Sequence, residues 1–268
     1  NGGTETDQVR EIFSTGSLTL TNSTLISSLG NDFLAGIDQA SLAAGNGNDL
    51  MDAAGFTNGP VTLDGQGGND TIWGGSSTSN DSLIGNTGDD WVFASGDLNW
   101  TLGDVNAGLG TATLAGVNRG TDDLNGIDHA SITGGAGNNV IDAAQFNLGG
   151  VVFSGLAGTD TIRGGHGNDT LSGGSQNDNI DGRAGTDRLW ETGDGNFTLA
   201  DTALNGIMGS DTLDNIEEAS LTGGASSNVF DLSGYRGTAT LDGQGGTDQL
   251  VVSRADEGPA ISFSLTAS

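Results

Sequence analysis

A nine-residue repeat is the feature of this sequence that most limits how the chain can fold. Its clearest run covers residues 155–190 and reads GLAGTDTIR, GGHGNDTLS, GGSQNDNID and GRAGTDRLW. The sixth position of each copy is Asp, and the eighth is aliphatic. These residues are Asp160, Asp169, Asp178 and Asp187, and Ile162, Leu171, Ile180 and Leu189. A repeat this short cannot bury an apolar face alone, so the copies must stack in a quasi-one-dimensional fold.

Weaker copies of the repeat occur on both sides of this run. GQGGNDTIW begins at Gly65 and GNTGDDWVF at Gly85, with an eleven-residue variant containing Asp81 between them. A single copy, GQGGTDQLV, begins at Gly243. The nine-residue pattern therefore extends along much of the chain.

A longer period of about 90 residues encloses the short one. Residues 18–42 align without a gap with residues 197–221, and residues 127–132 match residues 37–42. We call residues 18–42, residues 197–221 and the corresponding middle copy the leader segments. The middle copy carries extra residues between Asp104 and Thr121 and ends at Ile132. The periods predict three modules, 1–93, 94–190 with the best nonapeptide run, and a partial 191–268, within one continuous elongated domain. Residues 2–9 resemble residues 245–250, which favours a piece cut from, or linked within, a longer array.

Composition narrows the function classes. The chain has 35 acidic residues against 7 cationic ones, all Arg, and a net charge of −28, so its surface should repel nucleic acid and anionic membranes. Two Pro and no G-x-y period among 49 Gly exclude collagen. The chain has no Cys for disulfides and no apolar run long enough for membrane insertion. No signal peptide is visible, so we expect processing, excision from a longer chain, or export by a C-terminal signal outside this sequence.

Each nonapeptide predicts half of a β-coil. Its glycines permit tight turns with φ > 0, and the triplet that follows forms a short strand whose middle residue points inward. Two nonapeptides make one 18-residue coil with a strand on each side, and coils stack at about 4.8 Å. The predicted fold class is therefore all-β, a parallel β-roll or β-helix solenoid. We expect the leader segments to continue the same solenoid as further strands with larger turns, rather than to form an interposed small β-domain.

Stacking places sixth-position carboxylates of alternate copies together, with Asp160 above Asp178 and Asp169 above Asp187. Two carboxylates this close cannot both stay ionised without a cation. Carboxylate and backbone carbonyl oxygens suit Ca²⁺, which takes six to eight oxygen ligands. Zn²⁺ is disfavoured because the chain has no Cys and its two His are far apart in sequence.

The nonapeptides resemble the GGxGxDxUx repeats of the repeats-in-toxin (RTX) family, strongly over 155–190 and moderately over 65–93. That resemblance implies a parallel β-roll with Ca²⁺ in its turns, held by the Asp carboxylates and by carbonyls of turn positions two and four. The implied metal ligands are Asp49, Asp70, Asp81, Asp90, Asp160, Asp169, Asp178, Asp187 and Asp248, with Gly68, Gly88, Gly158, Gly165, Gly167 and Gly185.

Some copies depart from this pattern. Gln176 replaces the fourth-position Gly, and Asn139 and Asn228 replace the Asp of two module-opening copies. We expect the two Asn turns to be empty of metal and held by side-chain hydrogen bonds.

We find no enzyme in the sequence and predict no catalytic residue. His166 falls on a variable turn position, His129 aligns with Gln39 and Glu218, and the Glu217–Glu218 pair is not repeated in the sister segments. Trp73 and Trp190 are expected to pack on or cover the solenoid rather than bind sugar.

The leading functional hypothesis is a calcium-binding structural or adhesive segment of a type I-secreted bacterial extracellular or cell-surface protein. It would fold on extracellular Ca²⁺ and assemble with neighbouring modules or head-to-tail copies, with cell-surface polysaccharide as a further partner. The alternative is the C-terminal secretion and folding module of a secreted protease, lipase or polysaccharide epimerase. Ice binding is disfavoured because no regular outward Thr-x-Asn array is present.

Overall fold

The structure is a computed structural model that describes residues 5–13, 16–104, 111–117, 119–252 and 261–264. These residues form β-strands, turns and bends, with no helix among them. Accordingly, no helix in the described ranges is long and apolar enough to cross a membrane. The chain divides into two compact units. Unit 1 comprises Asn1–Ala94, Trp100–Ser131 and Gln145–Gly149, and unit 2 comprises Ser95–Asn99, Ile132–Ala144 and Gly150–Ser268.

The strands are short and follow one another at close intervals. The first fourteen are β1 (Gln8–Ile12), β2 (Leu18–Thr21), β3 (Thr24–Ser27), β4 (Gly30–Phe33), β5 (Gln39–Ala43), β6 (Leu50–Gly55), β7 (Val61–Asp64), β8 (Thr71–Trp73), β9 (Ser82–Ile84), β10 (Trp91–Ser95), β11 (Trp100–Asp104), β12 (Thr111–Gly116), β13 (Thr121–Asn125) and β14 (His129–Thr133). The others are β15 (Val140–Gln145), β16 (Val151–Ser154), β17 (Thr161–Arg163), β18 (Thr170–Ser172), β19 (Asn179–Asp181), β20 (Arg188–Thr192), β21 (Phe197–Ala200), β22 (Ala203–Gly206), β23 (Gly209–Asp214), β24 (Glu218–Thr222), β25 (Val229–Gly234), β26 (Thr238–Asp242), β27 (Gln249–Val251) and β28 (Ile261–Ser264).

Strands of alternate nonapeptides pair in parallel, so the chain winds between two sheets. In unit 2, β17 pairs with β19 and places Ile162 beside Ile180. On the opposite sheet β18 pairs with β20 and places Leu171 beside Leu189. Unit 1 repeats the arrangement with β6, β8 and β10 on one sheet and β5, β7 and β9 on the other. The predicted all-β fold with parallel β-roll winding is confirmed.

The core of each unit is a thin double row of aliphatic side chains between the sheets. The middle residue of each nonapeptide strand in the best run is fully buried. These residues are Ile162, Leu171, Ile180 and Leu189. Phe56 and Phe146, which follow the longer strands β6 and β15, are also fully buried. The period of nine therefore positions the core as well as the acidic turns.

The leader segments join the sheets but reverse one strand, which the sequence reading did not anticipate. In unit 2, β21 pairs in parallel with β25, and β23 pairs in parallel with β19. Between them β22 runs antiparallel to both neighbours. The reversal follows from tight connections such as Ala200–Ala203, because a short hairpin can join only antiparallel strands. In unit 1, β2–β4 form a meander of the same kind.

The predicted modules 1–93, 94–190 and 191–268 are divisions of sequence repetition. They stay a prediction.

The predicted covering Trp residues lie on outer positions. Trp73 is half-buried with its ring 4.5 Å from that of Phe93, and Trp190 is 47% exposed.

Candidate metal centre

The turns between strands have an unusual backbone that brings successive coils close together. At the second turn position, Gln66, Leu156 and Arg183 have φ of 67°, 73° and 73°. At the fourth position, Gly158 and Gly185 have φ of 117° and 138°, in a region that strongly favours glycine. A Cβ atom at Gly158 would collide with the carbonyl oxygen of Gly137 in the preceding turn of the same side. Both the backbone angle and the stacking therefore favour glycine at Gly158.

The sixth-position acids form continuous rows along the stack. The Asp160 N–H donates to Asp178 Oδ1 at 2.7 Å, across 18 residues. Likewise, the Asp169 N–H donates to Asp187 Oδ1 at 2.9 Å. The stacking of these two pairs is therefore as predicted. In unit 1 the Asp70 N–H donates to Asp90 Oδ1 at 2.8 Å.

The other predicted carboxylates occupy the same kind of row. Asp49 donates its N–H to Asp70, Asp81 accepts from the Val61 N–H at 2.9 Å, and Asp248 accepts from the Asn228 N–H at 2.9 Å. The structure thus places all nine predicted Asp residues in stacked turns, in five separate rows. Their role as metal ligands stays a prediction.

The second carboxylate oxygen divides the turns into two kinds. In open turns, Oδ2 of the sixth-position Asp is buried and has no hydrogen-bond partner. These residues are Asp70, Asp90, Asp160, Asp178 and Asp187. Each of the five side chains belongs to a residue that is no more than 3% exposed. A buried carboxylate oxygen without a partner is costly, so the open turns need a cation or a proton.

In closed turns the side-chain oxygen is satisfied by the turn itself. Asp169 Oδ2 accepts from the Gly165 N–H at 2.7 Å, and Asp49 Oδ2 accepts from the Gly45 N–H at 3.2 Å. Gly165 and Gly167, both within the described ranges, lack the left-handed φ seen in the open turns. The turn GGHGND therefore adopts a different backbone from its neighbours. Gly165 and Gly167 remain predicted carbonyl ligands.

The Asn turns behave as closed turns. Asn139 Oδ1 accepts from the Gly135 N–H at 2.8 Å, and its Nδ2 donates to Asp97 Oδ1 at 3.1 Å. Asn228 Oδ1 accepts from the Gly224 N–H at 2.9 Å. The side-chain hydrogen bonds that were predicted for these two turns are present.

Burial raises the pKa of the carboxyls in the rows. For Asp187 desolvation is the main cause, nearby Asp169 and Glu217 add to it, and the pKa rises to about 7. Desolvation likewise raises the pKa of Asp70 and Asp178 to about 6, with the charges of stacked Asp residues as a further contribution. A bound cation would offset both causes, since it supplies counter-charge to the ionised form.

The donor set fits Ca²⁺. It consists of carboxylate oxygens and of carbonyls that the turns bring close together, such as that of Gly173 beside Asp160 Oδ2. Within the described residues, no three His, Cys, Asp or Glu side chains form a metal-binding group. Backbone carbonyls must therefore complete the coordination, which suits a hard cation with oxygen ligands rather than Zn²⁺. The open-turn carboxylates and the fourth-position carbonyls of Gly68, Gly88, Gly158 and Gly185 are the groups that would hold Ca²⁺, and the ion would supply the missing positive charge.

Sequence reasoning missed the acids that end these rows. Asp122, Asp128, Asp211 and Glu217 belong to leader segments, yet they accept from the backbone N–H groups of Asp81, Asp90, Asp178 and Asp187. Their signal in the sequence is the constant alignment of the leader segments, in which two acids recur six residues apart.

A buried Glu was also missed. Glu191 Oε1 accepts from the N–H groups of Gly173 at 2.7 Å and Gly174 at 3.2 Å, and burial raises its pKa to about 8. It satisfies the start of the turn in which Gln176 replaces Gly. No repeated position marks this residue in the sequence.

The winding, the stacked acidic turns and the oxygen donor set define a calcium-binding parallel β-roll. The chain matches the family RTX calcium-binding nonapeptide repeat (4 copies) over residues 57–78, 77–103, 131–147 and 154–189. Over these residues the chain therefore carries RTX calcium-binding nonapeptide repeats, and the predicted resemblance is confirmed. No curated protein matches the chain significantly.

Proposed function

We propose that the chain is a structural segment of a secreted bacterial protein that completes its folding when it binds extracellular Ca²⁺. The observation that carries the proposal is the set of five buried carboxylate oxygens without partners in the open turns. Protein groups satisfy the corresponding oxygens of the closed turns at Asp49 and Asp169. The unmet need in the open turns is for positive charge, and the family match supports Ca²⁺ as its source.

The net negative charge of the chain makes its folding depend on Ca²⁺. A net charge of −28 opposes compaction, and 7 Arg cannot neutralise 35 acids. Where Ca²⁺ is scarce, self-repulsion favours an extended chain that can be exported. Outside the cell, Ca²⁺ that binds only the folded state stabilises that state by mass action. Extracellular calcium modules bind at about 10⁻⁴–10⁻³ M, which matches this transition.

An adhesive or filament-forming role is the finer part of the proposal. In unit 1, strand β4 pairs with β3, and all four of its residues are exposed, with Phe33 90% exposed. An exposed strand edge supports pairing with another module. The matching segments 2–9 and 245–250 suggest head-to-tail contact, although residues 1–4 lie outside the described residues. Cell-surface polysaccharide is a predicted partner in the same role.

Calcium removal and return test the proposal. We would remove divalent ions with a chelator, titrate Ca²⁺ back, and follow far-UV circular dichroism and sedimentation together. We expect part of the β-structure to be lost and then regained near millimolar Ca²⁺, with Mg²⁺ as a control that restores little. Large assemblies in the same range would support the filament role. An unchanged spectrum in chelator would contradict calcium-coupled folding.

A further inference from the structure

Each leader segment contains two short copies of the second half of a nonapeptide turn. In the nonapeptide, positions four to six read Gly-x-Asp, and the leader triplets repeat this order with one Asn–Glu variant. The triplets are Gly30-Asn31-Asp32, Gly36-Ile37-Asp38, Gly120-Thr121-Asp122, Gly126-Ile127-Asp128, Gly209-Ser210-Asp211 and Asn215-Ile216-Glu217. The leader segments lack the Gly-rich first half, so repeat matching alone does not find these triplets.

The backbone of these half-turns resembles that of the open turns. The first residue of the triplet has a left-handed φ of 62° at Gly126, 150° at Gly209 and 53° at Asn215. In open turns the residue two places before the Asp has the same property, as at Gly158 and Gly185. The value at Asn215 shows that the conformation is kept even without glycine.

The leader acids continue the rows of the preceding nonapeptides. The N–H groups of Asp178 and Asp187 donate to Asp211 Oδ1 and Glu217 Oε2, both at 2.9 Å. In return, the N–H groups of Thr212 and Glu218 donate to the carbonyls of Asp178 and Asp187, both at 2.9 Å. This is the pattern that links successive nonapeptides, in which the Asn179 N–H donates to the Asp160 carbonyl at 2.9 Å.

Unit 1 repeats this junction independently. The Asp90 N–H donates to Asp128 Oδ2 at 3.0 Å, and the His129 N–H returns a bond to the Asp90 carbonyl at 2.9 Å. Asp7 and Asp38 form the same contact, with the Asp7 N–H donating to Asp38 Oδ2 at 3.0 Å. The capping arrangement therefore recurs in all three leader segments.

At the junctions of Asp90 and Asp187 the unpartnered oxygens face leader carbonyls. A Cβ atom at Gly85 would meet both Asp90 Oδ2 and the carbonyl of Gly126. One at Gly182 would meet Asp187 Oδ2 and the carbonyl of Asn215. Inside the run, the corresponding position at Gly155 is flanked by Asp160 Oδ2 and the Gly173 carbonyl. A leader carbonyl thus takes the place that the next nonapeptide supplies within a run.

We propose that the leader segments supply a second class of calcium site, in which a leader half-turn and the last nonapeptide turn of a row hold one Ca²⁺ between them. The sites pair Asp90 with Asp128, Asp178 with Asp211, and Asp187 with Glu217. In each pair the nonapeptide Asp is at least 97% buried and keeps one oxygen without a hydrogen bond. The inference rests on the proposed calcium-binding function and extends it beyond the nonapeptides.

Isosteric amide variants test the junction sites. D128N, D211N and E217Q keep an oxygen that can accept the N–H of the preceding row member, so they remove charge while preserving the cap. The probe is Ca²⁺ itself, with bound ions counted by equilibrium dialysis and affinities measured by calorimetry. We expect each variant to bind one Ca²⁺ fewer than the parent protein. Asp214→Asn, on the exposed end of the same strand as Asp211, should leave the count unchanged.

The outcomes separate the two proposals. If the parent protein binds Ca²⁺ but all three variants keep its full count and affinity, the leader acids only cap backbone groups and the inference is wrong. If the parent protein binds no Ca²⁺, the proposed function fails as well. Circular dichroism at saturating Ca²⁺ checks folding. The junctions lie in two units, so D128N decides the question if D211N and E217Q do not fold.

Discussion

Turns 134–139 and 155–160 follow one another in the same row of unit 2 and differ at the sixth position. Asn139 bonds to Gly135 and Asp97, so both ends of its amide are satisfied by protein groups. Asp160 uses one oxygen to accept from the Asn139 N–H at 2.7 Å, and its other oxygen has no partner. A neutral side chain can complete this turn from within the chain. The carboxylate of Asp160, whose second oxygen no protein group reaches, requires a cation or a proton from solution.

Lowering the pH should remove this difference between the two kinds of turn throughout the protein. We expect this to be the largest of the effects. The folded-state pKa of Asp70, Asp178 and Asp187 is raised from 3.8 to between about 6 and 7. For an acid with a raised folded pKa, folding favours the protonated form. Metal-free stability should therefore be highest near pH 4 and decrease as the pH rises through about 7. Since one pKa unit corresponds to about 1.4 kcal/mol, we expect a total change above about 3 kcal/mol.

Urea unfolding in chelator between pH 4 and pH 8 measures this dependence. The control is the variant D160N/D178N/D187N, whose profile should be flatter because three of the titrating groups are absent. In saturating Ca²⁺ the trend should reverse, because protons then compete with the ion. A metal-free protein that becomes more stable as the pH rises would contradict the assignment of unsatisfied carboxylates.

At neutral pH the same triple variant should also change the stability of the metal-free protein and its response to Ca²⁺. With Asn at all three positions, the open turns of the best run resemble the turn of Asn139. We expect the metal-free protein to gain stability and to lose much of its response to Ca²⁺. Each ion lost would remove about 2.7 kcal/mol of stabilisation at a Ca²⁺ concentration 100 times the Kd.

Thermal melts in chelator measure the stability of the metal-free protein, and melts in Ca²⁺ measure how much the ion adds. Asp181→Asn is the matched control, because Asp181 lies on the outward ninth position of the same run and accepts from Arg183 and Asn215. It should keep the full Ca²⁺ response. An equal loss of response in this control would mean that the total charge, not the row position, governs calcium binding.

The fold was largely predictable from the sequence because one residue in nine sets the core. Ile162 and Ile180 repeat at the spacing of a full coil, and the structure pairs them in adjacent strands. The reversed strand β22 was not predictable in this way. Its four residues, Ala-Leu-Asn-Gly, carry no signal for strand direction, which depends on the short connections at each end.

The positions of the acidic turns were predictable from the sequence, but whether each turn is open or closed was not. Asp160 and Asp169 hold the same position in adjacent copies of the nonapeptide, yet one turn is open and the other is closed. The difference depends on whether the second-position N–H reaches the carboxylate, as that of Gly165 does. This is a property of the local backbone that the motif does not encode. The leader acids were missed because the motif that identifies a calcium turn begins with glycines that the leader segments lack.

Placing a carboxylate without a hydrogen-bond partner in a closed turn should lower the stability of the protein moderately. Asn139→Asp would remove the amide donor to Asp97 and place two carboxylates together. In chelator we expect a loss of about 1–3 kcal/mol, typical of a buried polar group without a partner, and recovery of part of it in Ca²⁺. Urea unfolding in both conditions measures this. Asn228→Asp, beside Asp194, should behave alike. A loss that Ca²⁺ does not relieve in either variant would show that closed turns cannot be converted.

The smallest expected effect concerns the backbone that all open turns share. Gln176 occupies a fourth position with φ of 85°, where Gly158 and Gly185 occur in neighbouring copies. Gln176→Gly should stabilise the protein by about 0.5–1 kcal/mol, because glycine adopts this conformation without a steric cost. Gln176→Ala is the control, since it removes the same side chain but keeps the penalty. Equal gains in both variants, measured by thermal melts in Ca²⁺, would assign the effect to the Gln side chain. A gain limited to glycine would show that the turn backbone itself limits the stability of this coil.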